Sequence, residues 1–286
     1  MIPQFSNTSN ISFLLWSENK LLTKGLAYNN YTSKLYYSRD QNASGNGLVA
    51  YASPFKQWVY DKSISGAQIC ESISGSISLS NGISGMRIDY ENGRILLPIS
   101  FGTGLNISGS YAFKDLNFYL ANETEESLIT SNKYYLNSRF KRPPTSGITP
   151  YVMATPAIFF NSLNSRQEDF ALGGLYNSVD NVSLVVMAEN VSILDSVFSI
   201  FRDTKNQCFV QLAYQNYPLD EFGNVKTGVY PTGYSYRDLS ASLNFPGNLY
   251  YINSVRNSKL SDRVKASEGL FVGLIDIEIS KVRQIT

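Results

Sequence analysis

Histidine does not occur in this 286-residue chain. Its absence removes the side chain that most often serves as general base, the commonest zinc ligand, and both the Ser-His and Cys-His nucleophile systems. Cysteine is almost as scarce. Cys70 and Cys208 lie far apart and in no CxxC setting, so two buried free thiols are expected rather than a disulfide. Charge is thin as well, with 16% charged residues and a net charge of +1. That balance leaves no electrostatic footprint for nucleic acid. The longest basic cluster, Arg139, Lys141 and Arg142 beside Pro143–Pro144, reads as a solvated loop rather than a phosphate site. Long hydrophobic runs are also missing. The stretch MIPQFSNTSNISFLLWSENK has no basic leader, and its apolar run Ile11–Trp16 is too short for a signal peptide or a membrane helix. A soluble protein without an N-terminal export signal is the expectation. The Asn-x-Ser/Thr triplets at Asn7, Asn30, Asn106 and Asn181 then carry no weight.

What is present is strand pattern and aromatic rings. Apolar residues reach 43%, with 20 tyrosines and 16 phenylalanines, which suits a folded chain whose weakly charged surface is partly buried against partners. Four segments differ in texture. Residues 1–48 mix turn formers with tyrosines and read as an irregular N-terminal arm or extension. Residues 49–122 read as an antiparallel β lobe. In it SISGSISL alternates serine with apolar residues, and MRIDY-ENG-RILLPI predicts a hairpin at Asn92–Gly93. Two more strands are expected around Leu105–Ser110 and Ala112–Leu120. Residues 123–155 are polar, then basic, then proline-rich through Pro150, a connecting segment. Residues 156–286 read as an α+β lobe with long loops. Its helix is marked by Ile193, Leu194, Val197, Phe198 and Phe201 at helical spacing, capped by Asn190 or Ser192. A C-terminal strand follows, in which Ile275, Ile277 and Ile279 alternate with Asp276 and Glu278. The fold class expected is β-rich α+β: an antiparallel β-sandwich or barrel-like lobe plus a small α+β lobe with one main amphipathic helix.

No residue pattern in the chain points to a catalytic, cofactor-binding or metal-binding residue. GTGLNISG places Gly102 and Gly104 correctly for a dinucleotide fingerprint, but Ile107 stands where the third glycine is needed and no helix pattern follows. Paired carboxylates need no histidine, so Asp89 with Glu91, and the cluster Glu123, Glu125 and Glu126, are the only candidates for glycoside hydrolysis. Both read better as solvated polar residues, as do Asp276 and Glu278. DYENG lacks the oxygen density of a calcium loop. Tyr234, Tyr236, Tyr250 and Tyr251, taken as exposed, suit sugar stacking or a subunit contact, and low charge favours the contact.

Two stretches carry a resemblance. MRIDYENGRILLP…GTGLNISGSYAFKDLNFYLAN, within residues 83–122, resembles segments of tailed-bacteriophage virion proteins. PAIFF…DFALGGLYNSVDNVSLVVMAENVSILDSVFSIFRD, within residues 156–215, is similar to the α+β core of tail-terminator and neck (head–tail connector) proteins: strand, a corner at Gly173–Gly174, strand, helix. The resemblance implies a non-enzymatic virion subunit that forms a homo-oligomeric ring, a hexamer or larger, with other neck or tail proteins as partners. It implies no cofactor and no membrane, and DNA passing through a lumen without tight binding. The runner-up is a tail-fibre or adhesin-like glycan-binding module whose tyrosine-rich loops, Tyr214 to Tyr236, meet surface sugars. A glycan-cleaving enzyme comes third.

Overall fold

The computed structural model describes residues 5–39, 41–121, 134–136, 153–171, 174–260 and 270–284. Two curled sheets dominate, with strand at 44% and helix at 23%, the β-rich α+β class expected from the patterning. The first sheet uses β1 (Tyr28–Ser38), β2 (Leu48–Ala52), β3 (Ser72–Gly75), β4 (Leu79–Ser80), β5 (Arg87–Asp89), β6 (Arg94–Pro98) and β7 (Ile107–Lys114). They lie in the order β4-β3-β7-β1-β2-β6-β5, and every neighbouring pair is antiparallel. β1 changes partner along its length: Tyr28–Leu35 lie against β7, and Tyr36–Ser38 against β2.

The expected hairpin is β5–β6, closed by the pair Asp89 and Arg94. Its connection, Tyr90–Gly93, is longer than a two-residue turn. Gly93 sits at φ 62°, and a Cβ there would lie 2.1 Å from the Phe55 carbonyl oxygen, so this corner requires glycine. Farther on, the break between strands falls at Asp115–Leu116 and not at Tyr111, because β7 runs unbroken to Lys114 alongside β1. β8 (Asn117–Leu120) then leaves the first sheet and joins the second.

The described part of the connecting segment 123–155 consists of β9 (Tyr134–Leu136) and β10 (Met153–Thr155), paired in parallel. Glu123, Glu125, Glu126, Arg139, Lys141 and Arg142, the prolines 143, 144 and 150, and Gly173 lie outside the described residues. The second sheet adds β11 (Ala157–Ala171), β12 (Leu175–Ala188), β13 (Cys208–Val210), β14 (Leu249–Lys259) and β15 (Phe271–Gln284). Its order is β13-β14-β15-β12-β11-β8, with only β8 and β11 parallel. Where AIFF and LVVMA meet, both faces are covered. Ile158, Phe160, Leu184 and Val186 face the main core, while Ala157, Phe159, Val185 and Met187 form a second cluster with Val272. Burial on both sides explains why these strands are continuous apolar runs rather than alternating ones.

The reading of residues 1–48 as an irregular arm is corrected by the structure. Phe5–Lys24 is a 20-residue helix, α1, and β1 follows it as an interior strand of the first sheet. α1 lies between the sheets. Phe13, fully buried, meets Phe160 of β11 (6.0 Å between centroids) and Phe209 of β13 (5.5 Å), and Leu22 packs with Val59, Ile64 and Ala112 beneath the first sheet. Because it is covered on several sides, its buried positions include serines as well as hydrophobes, and no single apolar stripe marks it. Each serine finds an acceptor: Ser12 Oγ donates to the Thr8 carbonyl (2.6 Å), Ser17 Oγ to that of Leu14 (2.9 Å), and Ser9 Oγ to Asp180. Ser12 Oγ also accepts from the Leu212 amide at 2.9 Å, tying the helix to the segment after β13.

Among the described residues three shorter α-helices follow: α2 (Gln41–Gly45), α3 (Val191–Arg202) and α4 (Tyr236–Leu243). α3 is the expected amphipathic helix. Asn190 caps it through an acceptor bond from the Ser192 amide, and Leu194, Val197, Phe198 and Phe201 are buried. Gly273 of β15 makes room for it, since a Cβ there would lie 2.3 Å from the Phe198 ring. α4, capped by Ser235, shows that the helix content exceeds the one main helix expected. One hydrophobic cluster runs from Ile11 to Ile279 through both sheets, α1 and α3. Phe13→Ala is therefore expected to cost about 3–5 kcal/mol, the range for a buried phenylalanine, read from urea denaturation. An arm that merely rests on the body would lose almost nothing.

Candidate functional site

Two cavities flank the buried ring of Tyr60, which lines both. The larger is a cleft of about 490 Å³ between the β3–β4 edge of the first sheet and the loop Thr227–Gly233. Two tyrosines form its inner wall. Tyr60 packs edge-on against Tyr90 at 6.2 Å, and the Tyr90 hydroxyl donates to the Cys70 carbonyl at 2.6 Å. Across from them Tyr230, half-buried, donates to the Asn216 carbonyl at 2.5 Å and meets Tyr234 edge-on at 5.2 Å. At the mouth Lys62 Nζ lies 2.5 Å from the Glu71 carboxylate and donates to the Thr232 carbonyl at 2.8 Å. The remaining lining includes Ser72, Ser80, Asn81 and Thr227. The site is thus hydroxyl- and amide-rich, ring-walled and charge-balanced.

The smaller cavity, about 220 Å³, lies where α1 meets the first sheet. At its base Glu18 of α1 and Lys114 of β7 form a buried ion pair at 2.7 Å. The Lys114 ammonium also sits over the rings of Tyr60 (4.8 Å) and Phe118 (5.8 Å). Burial raises the Glu18 pKa above its ordinary 4.5, an effect that outweighs the attraction of Lys114. The Tyr60 phenol is pushed well above its ordinary value, first by burial and then by Glu18. Gln57 bridges to β8, donating to the Phe118 carbonyl and accepting from its amide, both at 2.8 Å.

Of the residues weighed from sequence, Asp89 and Glu91 do not form a facing carboxylate pair. Asp89, ending β5, is 1% exposed and accepts from Arg94 Nε (2.6 Å), the Asn92 amide (3.0 Å) and Asn92 Nδ2 (2.9 Å). It locks the hairpin. Burial raises its pKa, with Arg94 opposing. Glu91 is exposed in the connection and reaches the smaller cavity. Asp276 and Glu278 lie on the outer side of β15, where Glu278 pairs with Arg166 at 3.1 Å and accepts from Asn253. Gly102 and Gly104 occupy the turn into β7, with no helix after them. Tyr234, Tyr236 and Tyr250 are buried, not exposed; only Tyr251 of that set is open, at 45%. Cys70 and Cys208 are both free, and Cys208 is exposed rather than buried. Burial pushes the Cys70 thiol up to about 12.

Sequence reasoning missed Glu18, Lys62, Glu71 and Lys114, and reached Tyr230 only as one position within the loop span Tyr214 to Tyr236. None carries a local signal, because each is placed by a long-range contact. Among the described residues there is no group of three or more Asp, Glu, Cys or His able to hold a metal, and no helix is long and apolar enough to cross a membrane.

Removing one member of the Glu18–Lys114 pair leaves the other charge buried alone. Glu18→Gln is expected to cost about 3–5 kcal/mol, and Glu18→Leu combined with Lys114→Met clearly less, both read from urea denaturation. The raised Glu18 pKa means that the folded state holds this proton more tightly than the unfolded chain does. Its contribution is therefore full below 4.5 and falls as pH rises through the folded pKa, so the double variant should show a shallower decline in stability over that window. The chain matches no protein-family model and no curated protein.

Proposed function

We propose that this protein is a non-enzymatic structural subunit that works through contacts with copies of itself and with other proteins of an assembly. The observation that carries this reading lies at the open end of the β5–β6 hairpin. There the chain enters through a tight turn, Ile83–Gly85, with Ser84 and Gly85 at positive φ, and leaves through a single 3-10 turn, Ile99–Phe101. The turns are side by side, since a Cβ on Gly85 would lie 2.8 Å from Pro98. Ile83 and Ile99 are each 57% exposed, beside the half-buried Leu48, Pro98 and Phe101. Exposed isoleucines on neighbouring turns suit a subunit contact, which would remove their apolar surface from water. The thin surface charge points the same way.

A virion of a tailed bacteriophage, at the neck or tail terminator, is the assembly this reading adopts. The resemblance within residues 83–122 and 156–215 supports it. So does the order β11, corner at Gly174, β12, α3, which follows the pattern of that core. The protein would then be made in the host cytoplasm and sit in a homo-oligomeric ring with neck or tail partners, holding DNA only loosely in its lumen. The runner-up, a tail-fibre or adhesin-like glycan-binding module, loses the exposed tyrosines 234, 236 and 250 and keeps the cleft beside Tyr60.

Light scattering with negative-stain imaging tests the proposal. Rings of six or more copies are expected, and Ile83→Asp with Ile99→Asp should return the chain to monomers of unchanged circular dichroism. A trimer unaffected by both changes would overturn the ring in favour of the fibre reading.

A further inference from the structure

Of the features outside the proposed contact, the cleft beside Tyr60 is the most completely built. We propose that it binds an uncharged mono- or disaccharide. Its volume of about 490 Å³ falls within the range of small-molecule sites, about 300–1,000 Å³. The wall chemistry selects among ligand classes. The one cation and one anion at the mouth, Lys62 and Glu71, neutralise each other at 2.5 Å, so neither a phosphate nor an ammonium ligand finds an uncompensated partner. Lys62 is further held by the Thr232 carbonyl. What remains on offer is the outward half of the Glu71 carboxylate, the Asn81 amide and the hydroxyls of Ser72, Ser80 and Thr227. The carboxylate accepts, and the amide and hydroxyls both donate and accept, so the set supplies the capacity a ring of hydroxyls needs.

The aromatic wall supplies the other half of saccharide recognition. The Tyr230 hydroxyl is committed to Asn216 and its ring is braced by Tyr234, so the ring is held in place before any ligand arrives. The Tyr90 hydroxyl is likewise committed to Cys70. Tyr230, half-buried, therefore presents ring surface that suits the C–H face of a sugar, with Tyr60 and Tyr90 as the buried floor behind it, while the polar side of the cleft meets the sugar's hydroxyls. This proposal stands apart from the assembly reading: it needs no oligomer, and different side chains test it.

The experiment probes full-length protein on an array of neutral mono- to tetrasaccharides, with uronate-, sialate- and phosphate-bearing glycans alongside. Each retained neutral sugar is then titrated by calorimetry. Binding to neutral sugars is expected, weakened roughly tenfold by Asn81→Ala or Glu71→Gln and more by Tyr230→Ala. Asn81 and Glu71 sit at the rim, so their variants keep the test valid even where Tyr230→Ala perturbs folding. Ile83→Asp with Ile99→Asp should leave the affinity unchanged. Retention of no neutral sugar, retention of acidic glycans alone, or equal binding by the rim variants would each overturn the proposal.

Discussion

The structure depends on one constraint: α1 must be buried between two sheets. Much of a helix in that position is cut off from water, so its buried serines, Asn19 and Glu18 are held by partners within the protein, while Asn10 Oδ1 is left without one. Its serines turn back onto the helix or reach across to Asp180 and Leu212, and Asn19 donates to Asp61 at 2.8 Å and to Ser63. Glu18 reaches the other way, to Lys114 of the first sheet. The helix therefore joins the sheets by directed bonds as well as by the aromatic cluster around Phe13. Hydrophobic contact alone would leave its rotation and depth poorly specified.

The same logic governs the buried carboxylates, both Asp89, which the sequence marks as chemically interesting, and Glu18, which it does not. Asp89 is spent on Arg94 and Asn92, holding the connection of a hairpin. Glu18 is spent on joining two layers. In both, burial raises the pKa while a cation opposes it, the pattern of a structural buried pair. A raised carboxylate pKa is also a familiar mark of an acid catalyst. Geometry separates the two readings here, because Asp89 lies under its own turn and Glu18 sits at the foot of a small cavity against its own lysine.

Two surfaces are then left for function. One is apolar, at the open end of the β5–β6 hairpin, and suits a protein partner. The other is polar and concave, beside Tyr60, and suits a small uncharged ligand. Both sit on the first sheet and its covering loop, so the proposed assembly role and the proposed ligand site are drawn from the same layer of the molecule. A virion subunit that also meets sugars would need both.

Sequence by itself determined the elements whose signal is local. The alternation of Ile275, Ile277 and Ile279 marks β15, the spacing from Ile193 to Phe201 marks α3, and Asn92–Gly93 marks a corner that a Cβ would block. Those signals arise within a few residues, through periodicity or a backbone angle. α1 escaped notice because its buried sides mix serine with leucine and phenylalanine, and periodicity detects a helix only when one side is wet. The burial of Tyr234, Tyr236 and Tyr250, the exposure of Cys208, and the meeting of Glu18 with Lys114 or Lys62 with Thr232 belong to tertiary structure alone. They depend on which sheet covers which segment across 96 to 170 residues of chain, and no local pattern encodes that.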